Sequence, residues 1–340
     1  MTDPILKIDT VSKQFTGRPG LAERLAGKFT GGGKPVIVHA LTDVSLEVAK
    51  GEVLGIVGES GCGKSTLGRV IAGIHAPTSG SVTLNGQPIA DQRGGTIHKR
   101  TTQVQMIHQD PFASLNPRMK VGETLAEGPR YHGIIPADQV RTRVRALLEQ
   151  VGLEAAYADR LPHQFSGGQR QRIAIARALA MQPEVLVLDE AVASLDVSIQ
   201  AQVLNLFMDL RHDLGLTALF ISHDLSVVRH VCDRVAIMYL GRLVELAPAD
   251  QLYADPRHPY TRALFASIPT VGTGRGRFEA IKGEIPSPIA PPPGCAFHPR
   301  CPFAGSRCRT EVPRLTAAGP VRTVACHLND GGVDMQKGAA

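Results

Sequence analysis

The chain of 340 residues is 43% hydrophobic and carries a formal net charge of +6 at pH 7. The length favours one large domain followed by a smaller one, and the apolar content is sufficient for a hydrophobic core. No apolar run approaches about eighteen residues, and the N-terminus has no basic segment leading into an apolar one. The sequence therefore predicts neither a membrane-spanning helix nor a secretory signal.

The first two thirds of the chain alternate short β-branched runs with helical patterns, which predicts an α/β domain with a largely parallel sheet. Residues 16–34 are rich in glycine and basic residues, so they are predicted to form a surface loop. Apolar residues at helical spacing predict a helix around residues 140–151, and a hairpin turning at Gly241 is predicted after His223. Buried strands are predicted at residues 52–58, 184–190 and 217–223.

Beyond Ile268 the composition changes to proline and glycine, as in residues 286–294. This change predicts a linker into a small tail with little helix. We therefore divide the chain into a large domain, residues 1–268, and a C-terminal extension, residues 269–340. The extension contains four of the six cysteines of the chain, Cys295, Cys301, Cys308 and Cys326.

The sequence GESGCGKST, residues 58–66, satisfies G-x-x-x-x-G-K-[ST] and lies between a predicted strand and a predicted helix. Small residues there let backbone N–H groups converge on phosphate oxygens at a helix N-terminus. Lys64 supplies a positive charge to the β- and γ-phosphates, and the Ser65 hydroxyl is a ligand for Mg²⁺. The alternative is a glycine-rich turn that binds nothing, which the flanking elements disfavour. The predicted nucleotide contacts are Gly58, Ser60, Gly61, Cys62 (through its backbone), Gly63, Lys64, Ser65 and Thr66.

A second chemical signal is the strand VLVLDE, which ends in Asp189 and Glu190. Asp189 is predicted to hold Mg²⁺ through water, and Glu190 stands where a base would polarise the attacking water. Two carboxylates after an apolar strand are a weak signal alone. Downstream of a phosphate loop they indicate nucleotide hydrolysis.

The sequence FSGGQRQRIAIARALA, residues 165–180, distinguishes this chain from other phosphate-loop proteins. Ser166 is placed to cap a helix, and its side chain and the glycine amides form an anion site. An ordinary capped amphipathic helix is the alternative, which the sequence SGGQ directly before R-Q-R disfavours. The segment resembles the signature of ATP-binding cassette (ABC) ATPases, with Phe165 in place of the more common leucine.

Other stretches resemble further elements of the ABC family in the same order. The resemblance implies that Gln109 reaches toward Mg²⁺ and the attacking water, and that His223 contacts the γ-phosphate. It also places Asp196 in the D-loop and Phe15 against the adenine. The implied roles are catalytic for Glu190, Gln109 and His223, Mg²⁺-binding for Ser65, Gln109 and Asp189, and nucleotide-binding for Ser166, Gly168, Gln169 and Asp196.

The resemblance narrows to the ATPases of the oligopeptide/dipeptide/nickel uptake subfamily, of the F-type. The subfamily resemblance is carried by QDPFASLNPRMKVGE, LPHQFSGGQRQR, LDVSIQAQVL and DPRHPYTRALFASIP, and the resemblance to the F-type by GESGCGKSTLGR. It implies an α/β fold with a RecA-like core, a β-subdomain and a helical subdomain that carries the signature, followed by a cysteine-rich extension. It also implies a peripheral ATPase at the cytoplasmic face of the cell membrane that drives uptake of oligopeptides or dipeptides.

The partners implied by this resemblance are a second, non-identical ATPase subunit facing head to tail, two transmembrane permease subunits and an extracytoplasmic substrate-binding protein. The main alternative is a soluble ABC ATPase that acts on nucleic acid or ribosomes. Such proteins commonly carry two cassettes or a long coiled-coil insertion, and this sequence shows neither. A nucleotide kinase or GTPase is disfavoured by SGGQ and by His223.

The four cysteines of the extension leave several kinds of site open. Disulfides are rare in the reducing cytosol, and a proline-rich tail offers little core for inert thiols. Zinc suits four cysteines, but the spacing C-x₅-C-x₆-C-x₁₇-C lacks short pairs and does not match common ferredoxin spacings either. The subfamily resemblance implies a [4Fe–4S] cluster on Cys295, Cys301, Cys308 and Cys326, with Zn²⁺ as the alternative. Cys62 and Cys232 are expected to take no part.

Overall fold

The computed structural model describes residues 4–17, 36–93, 96–110, 114–267, 281 and 283–329. The predicted surface loop lies outside this part of the chain except for residues 16 and 17, and so does the predicted boundary between residues 268 and 269. None of the helices in the described ranges has the length and apolar character needed to cross a membrane.

The described residues contain both strands and helices, which alternate from β9 to β11 as the α/β pattern predicts. The strands are β1 (Leu6–Thr16), β2 (Ile37–Val48), β3 (Val53–Val57), β4 (Ser79–Leu84), β5 (Gln87–Pro88), β6 (Ala90–Arg93), β7 (Thr96–Lys99), β8 (Val104–Ile107), β9 (Val185–Asp189), β10 (Thr217–Ile221), β11 (Arg234–Tyr239), β12 (Arg242–Pro248), β13 (Thr316–Ala317) and β14 (Thr323–Val324). The helices are α1 (Lys64–Ile71), α2 (Val121–Tyr131), α3 (Val140–Gln150), α4 (Gly167–Ala180), α5 (Val197–Leu214), α6 (Leu225–Val231), α7 (Ala249–Ala254), α8 (Pro259–Ala266) and α9 (Ser306–Thr310). Short 3₁₀ turns occur at Ala155–Asp159, Pro162–Gln164, His298–Arg300 and His327–Asn329.

A central eight-stranded sheet organises the molecule, with the strand order β13-β14-β12-β11-β3-β10-β9-β8. Strands β11, β3, β10, β9 and β8 run parallel, whereas β12 to β14 are antiparallel. A second sheet has the order β2-β1-β4-β5. Because the carboxyl ends of β3, β9 and β10 share one edge, the loops that follow these strands meet there, which is where open α/β sheets bind ligands.

Both faces of the central sheet are buried, which explains why its strands have continuous apolar runs rather than alternating ones. On one face, Leu186 and Leu188 of β9 belong to a core cluster shared with α5 and α6. On the other face, Val185 and Val187 belong to a cluster shared with α1 and the β1–β2 sheet. Each of these fully buried side chains contributes roughly 1.5–3 kcal/mol relative to an exposed one.

The predicted elements are confirmed, with small differences at their ends. Two of the three predicted strands are one residue shorter at each end, and the third is two residues shorter at its C-terminal end. Gly58 lies in a loop, and Glu190 leaves the strand with φ 51°. Val140, Val144 and the other predicted apolar positions of α3 are buried. The hairpin joins β11 to β12, and its turn at Gly241 has φ 76°.

His258, in the sequence HPYT, anchors the C-terminal part of the chain to the central sheet. Its side chain is buried, and its Nδ1 accepts a hydrogen bond from the Tyr260 N–H (3.0 Å), which caps α8. Burial lowers the pKa of His258 to about 3, although a hydrogen bond to the backbone of Ala325 opposes this. The buried Glu245 carboxylate of β12 accepts hydrogen bonds from the N–H groups of Arg257 and His258 (3.0 and 2.9 Å). Since β14 also pairs with β12, residues 283–329, called the C-terminal segment below, continue the central sheet.

Candidate functional site

The phosphate loop joins β3 to α1 and passes close to two neighbouring strands. A Cβ atom at Gly58 would lie 2.2 Å from the carbonyl oxygen of Met238, and one at Gly63 would lie 2.5 Å from that of Ala40. Gly63 also has φ 108°, in the region that favours glycine, and it immediately precedes α1. The loop thus runs close to β11 and β2, so packing as well as any ligand requires glycine at positions 58 and 63.

The Lys64 side chain lies inside this loop. It is 5% exposed, and its Nζ donates hydrogen bonds to the carbonyl oxygens of Gly58 (2.7 Å) and Glu59 (3.0 Å). The remaining predicted contacts, Ser60, Gly61, Cys62, Ser65 and Thr66, follow the loop into the first turn of α1. The loop therefore gathers a cation and a helix N-terminus, which together attract phosphate.

Ser65 and Asp189 meet across the edge of the central sheet. The Ser65 hydroxyl donates a 2.8 Å hydrogen bond to Asp189 Oδ1, although the two residues are 124 positions apart. Asp189 ends β9 and is 5% exposed. Hydroxyl and carboxylate oxygens are ligands that Mg²⁺ accepts. The structure thus brings together two of the three predicted Mg²⁺ ligands.

Glu190 follows Asp189 and contacts the two other predicted catalytic residues. The Gln109 side-chain amide donates a 2.8 Å hydrogen bond to Glu190 Oε2, and His223 Nδ1 lies 3.4 Å from Glu190 Oε1. The Glu190 N–H donates to the carbonyl oxygen of Ile221 (2.9 Å) at the end of β10. This arrangement fixes a carboxylate between a polarising amide and an imidazole, which suits it to accept a proton from water.

Ser166 begins the signature helix α4 as predicted. Its side chain accepts a hydrogen bond from the Gln169 N–H (3.3 Å), and the Gln169 side chain accepts one from the Ser166 N–H (3.0 Å), which completes a capping box. A Cβ at Gly168 would lie 2.4 Å from the Ile199 side chain, so this glycine lets α4 pack on α5. Ser166 itself is exposed, as is Asp196 at the start of α5.

Phe15 lies on β1 with 38% of its surface exposed. Its ring meets His75 edge to face at 5.5 Å, and Lys13 Nζ lies 5.0 Å from the ring centre. Among the described residues, no hydrogen bond or ring contact joins Phe15, Ser166 or Asp196 to Lys64. These three predicted nucleotide contacts therefore lie at the surface of the described structure.

A large groove of about 720 Å³ separates the central sheet from the helices α2 and α4. His108, which directly precedes Gln109, lines the groove together with Tyr131, Arg177 and Met181. Burial lowers the pKa of His108, and nearby Arg69 and Arg177 lower it further. An occupant of the groove would contact His108, which is one residue from Gln109, whose side chain donates a hydrogen bond to Glu190.

The four cysteines of the C-terminal segment line one small cavity. The Cys295 N–H donates to the Cys308 carbonyl oxygen (2.8 Å). Burial raises the pKa of the Cys295 and Cys301 thiols and raises that of Cys326 to about 12. Within the described residues, no group of three or more His, Cys, Asp or Glu side chains is placed to hold a metal ion. The four predicted cysteine ligands thus line one cavity, but the described residues show no metal centre.

Cys62 and Cys232 lie apart from this cavity. Cys62 is in the phosphate loop and Cys232 follows α6, and both are buried. Burial raises the pKa of both thiols. They are therefore inert core thiols rather than candidates for the cysteine site.

Two contacts of the phosphate loop were not predicted from the sequence. The Glu59 N–H donates a 2.9 Å hydrogen bond to the Tyr260 hydroxyl, and the Glu59 carboxylate pairs with Arg300 (2.7 Å). The sequence HPYT that contains Tyr260 marked the subfamily, but nothing in it points to the phosphate loop. The sequence around Arg300 does not indicate its contact with Glu59 either, because the two residues are 241 positions apart.

Comparison with known proteins gives consistent matches along the chain. Residues 41–193 match the ABC transporter family, and residues 244–308 match the C-terminal region of oligopeptide/dipeptide transporters. The chain is 47% identical over 330 residues to the oligopeptide transport ATP-binding protein AppF of Bacillus subtilis, which covers 96% of this chain and 98% of AppF. It is 51% identical over 291 residues to the di/tripeptide transport ATP-binding protein DppF of Pseudomonas aeruginosa, which covers 85% of this chain and 90% of DppF.

Solved structures agree with this match. CbiO1 of Clostridium perfringens, part of the ABC transporter complex cbiONQ, superimposes with a TM-score of 0.59 at 29% identity, covering 74% of this chain and 92% of CbiO1. The ATP-binding cassette MJ0796, a dimer in a post-hydrolysis state bound to ADP and Pi, superimposes with a TM-score of 0.58 at 25% identity. This match covers 72% of this chain and 98% of the MJ0796 chain. The chain belongs to the ABC transporter ATPase family, in the branch that carries the oligopeptide/dipeptide transporter C-terminal region, and it is an ATPase.

Proposed function

We propose that the chain is the ATP-hydrolysing subunit of a membrane importer in which ATP turnover drives uptake of oligopeptides or dipeptides. The observation that carries the proposal is the Glu190 carboxylate, which lies between Gln109 and His223 beside the Ser65–Asp189 pair. The relatives AppF and DppF are named for oligopeptide and di/tripeptide transport, which supports this class of cargo. Those names lend no support to the alternative function on nucleic acid or ribosomes.

The residues of the phosphate loop fit ATP and Mg²⁺. Lys64 and the loop N–H groups bind the phosphates, and Phe15 stacks on the adenine. Ser65 and Asp189 would hold Mg²⁺ with Gln109, and the ion would supply positive charge that offsets the charge of the phosphates. The Ser65–Asp189 hydrogen bond supports this assignment, because it brings a hydroxyl and a carboxylate within 2.8 Å.

The hydrolytic step follows from the position of Glu190. Its carboxylate accepts a proton from water as the water oxygen bonds to the γ-phosphorus and the bond to ADP breaks. Gln109 orients the water, and His223 donates to the γ-phosphate. Both side chains contact the Glu190 carboxylate, at 2.8 and 3.4 Å, which places them close to the proposed base.

A second, non-identical ATPase subunit completes the nucleotide site in this proposal. Ser166, Gly168 and Gln169 of one subunit would cover the nucleotide bound by Lys64 of the other. The exposure of Ser166 and Asp196 supports this arrangement.

The permease subunits occupy the groove between the central sheet and α2–α4 in this proposal. The groove has the volume for an inserted segment and is lined by His108, which directly precedes Gln109. Movement of the permease would therefore reach Glu190 through His108 and the Gln109 side chain, which donates to the Glu190 carboxylate. The chain would lie peripherally at the cytoplasmic face of the membrane, and an extracytoplasmic binding protein would deliver the cargo.

We also infer that residues 269–340 form an extension whose four cysteines hold a [4Fe–4S] cluster. The inference rests on the subfamily resemblance and on the single cavity that all four cysteines line. A cluster would tie together a segment with little core of its own, which is how small folds often gain stability. Zinc on the same cysteines is the alternative outcome.

Membrane extraction tests the proposed function. From cells carrying a tagged chain, detergent should release a complex with a second ATPase and two multi-span subunits. Tyr131→Glu, which places a charge on an 85% exposed residue of the groove, should reduce recovery of the multi-span subunits. Val321→Glu, at an exposed apolar residue outside the groove, is the control. Recovery with ribosomes or RNA and without membrane subunits would contradict the proposal.

A further inference from the structure

An ion pair joins the C-terminal segment to the phosphate loop. Arg300 Nη1 lies 2.7 Å from Glu59 Oε2, and Nη2 lies 3.1 Å from Oε1, so the guanidinium donates a hydrogen bond to each carboxylate oxygen. The Arg300 side chain is 4% exposed and the Glu59 side chain 21%. Paired contacts of this kind are stronger and more specific in direction than a single charge contact.

The backbone of Glu59 is held by two further residues. Its N–H donates to the Tyr260 hydroxyl (2.9 Å), and its carbonyl oxygen accepts from Lys64 Nζ (3.0 Å). Tyr260 packs against Tyr239, whose ring also lies 5.9 Å from the Arg300 guanidinium. The N–H, the carbonyl and the carboxylate of Glu59 therefore all have partners, and the partner of the carboxylate, Arg300, comes from the C-terminal segment.

The position of Arg300 depends on the fold around the cysteines. Arg300 ends the 3₁₀ turn His298–Arg300, whose first N–H donates to the Cys295 carbonyl oxygen (3.0 Å), and Cys301 follows directly. The guanidinium is thus carried by the short stretch of chain between two cysteines. A change in that stretch would move the partner of a phosphate-loop carboxylate.

Charge explains why such a partner is needed. The phosphate loop collects N–H groups and Lys64 to attract an anion, and a free carboxylate at its second position would repel that anion. The charge of Glu59 reaches the loop interior: burial raises the pKa of Cys62, and Glu59 raises it further. Arg300 supplies the opposite charge and also turns the carboxylate toward itself.

We propose that Arg300 is a positioning residue for ATP binding, which neutralises and orients Glu59 so that the C-terminal segment sets the ATP affinity of the phosphate loop. The proposal rests on the nucleotide site described under the proposed function, and it adds a residue from outside the cassette motifs. It does not depend on which metal, if any, the cysteines hold.

A cycle of variants in the full-length chain tests this. Calorimetric titration with Mg²⁺ and ATPγS gives the Kd of each variant. Arg300→Gln should weaken ATPγS binding by about tenfold, a usual size for coupling between contacting charged groups. Glu59→Gln in the same chain should restore the affinity to within about twofold of wild type, because the repulsive charge is then gone. Arg300→Lys, which keeps the positive charge, should lose less affinity for ATPγS than Arg300→Gln.

Arg307→Gln is the matched control. Arg307 also precedes a cysteine directly and forms a 2.7 Å ion pair, but with the exposed Glu311 of the same segment. This variant should bind ATPγS like wild type. The thermal unfolding midpoint and the metal content of each variant show that the C-terminal segment has remained folded.

Three results would overturn the proposal: wild-type affinity in Arg300→Gln, a loss that Glu59→Gln does not restore, or an equal loss in Arg307→Gln. Lys64→Ala separates this failure from failure of the nucleotide site. If Lys64→Ala abolishes binding while Arg300→Gln has no effect, only the role of Arg300 is wrong. If Lys64→Ala binds ATPγS like wild type, the site itself is wrong and the role of Arg300 fails with it.

Discussion

Glu190 adopts a backbone conformation that glutamate rarely occupies. Its φ of 51° lies in the left-handed region, and its N–H is fixed by the carbonyl oxygen of Ile221. Such conformations cost of order 1–3 kcal/mol and are concentrated at functional sites. Here the turn directs the carboxylate toward Gln109 and His223, instead of continuing β9. The local strain therefore positions the candidate base.

Glu190→Gln should separate ATP binding from hydrolysis. The substitution keeps the size of the side chain but removes the base, so turnover in the assembled complex should fall by about two orders of magnitude or more while the Kd for ATP stays nearly unchanged. Steady-state phosphate release and nucleotide titration measure the two quantities. Glu184→Gln is the control: Glu184 immediately precedes β9, and this variant should retain ATPase activity. Wild-type turnover in Glu190→Gln would show that another group is the base.

His258 makes stability depend on pH. Its folded pKa of about 3 lies below its unfolded value near 6.5, so the unfolded chain binds a proton that the native chain does not. The stabilising contribution is therefore present above about pH 6.5 and is lost as the pH falls toward 3. The raised pKa of the neighbouring Glu245, caused by burial, acts in the opposite direction.

Comparison with His258→Asn isolates this contribution, because asparagine can cap α8 but does not titrate. The free energy of unfolding in urea should fall more steeply between pH 7 and pH 5 for wild type than for the variant. Equal slopes in the two proteins would show that His258 is protonated in the native state or contributes nothing.

Helix α4 shows which elements the sequence predicts well. Ser166 predicts a helix start because a cap is a local feature, and the structure adds Gln169 as the second partner of a capping box. The phosphate loop and the strand ending at Asp189 are equally local, and the parallel sheet brings their ends together. By contrast, Arg300 and Glu59 lie 241 positions apart and neither has a local pattern. The left-handed turn at Glu190 also has no sequence signal, because glutamate does not favour it.

Ser166→Arg tests whether the start of α4 serves a second subunit. Bulk and positive charge at this exposed position should abolish hydrolysis in the assembled complex, whereas the isolated chain should bind ATP with nearly unchanged affinity. Ser166→Ala controls for the lost cap, which costs roughly 1 kcal/mol of stability and adds no bulk. Full hydrolysis by a demonstrably monomeric chain, or by the Ser166→Arg complex, would contradict the two-subunit site.

The cysteine cavity makes its own prediction for the C-terminal segment. Purified without oxygen, the chain should be brown and contain about four iron and four sulfide per chain, as a [4Fe–4S] cluster requires. Cys301→Ser should lose most of this iron, whereas Cys232→Ser, a buried cysteine outside the cavity, should retain it. A colourless protein with one zinc and no sulfide would replace the cluster with a zinc site.

On the scale of the whole molecule, one sheet links all the proposed sites. Its carboxyl edge carries the phosphate loop and Glu190, and β12 and β14 attach the C-terminal segment to the same sheet. The groove lined by His108 lies between this sheet and the helices α2 and α4. A permease, a second ATPase and the cysteine segment can therefore all act on one nucleotide site through short contacts.

Peptide uptake by proteoliposomes tests the central claim most directly. The vesicles would contain the co-purified complex, with Mg²⁺ and ATP enclosed and the binding protein and labelled di- to pentapeptides outside. The account predicts that at least one peptide accumulates only when ATP is enclosed, and that complexes with Glu190→Gln accumulate none. Accumulation at the wild-type rate with Glu190→Gln, or ATP hydrolysis that moves none of the peptides, would contradict it.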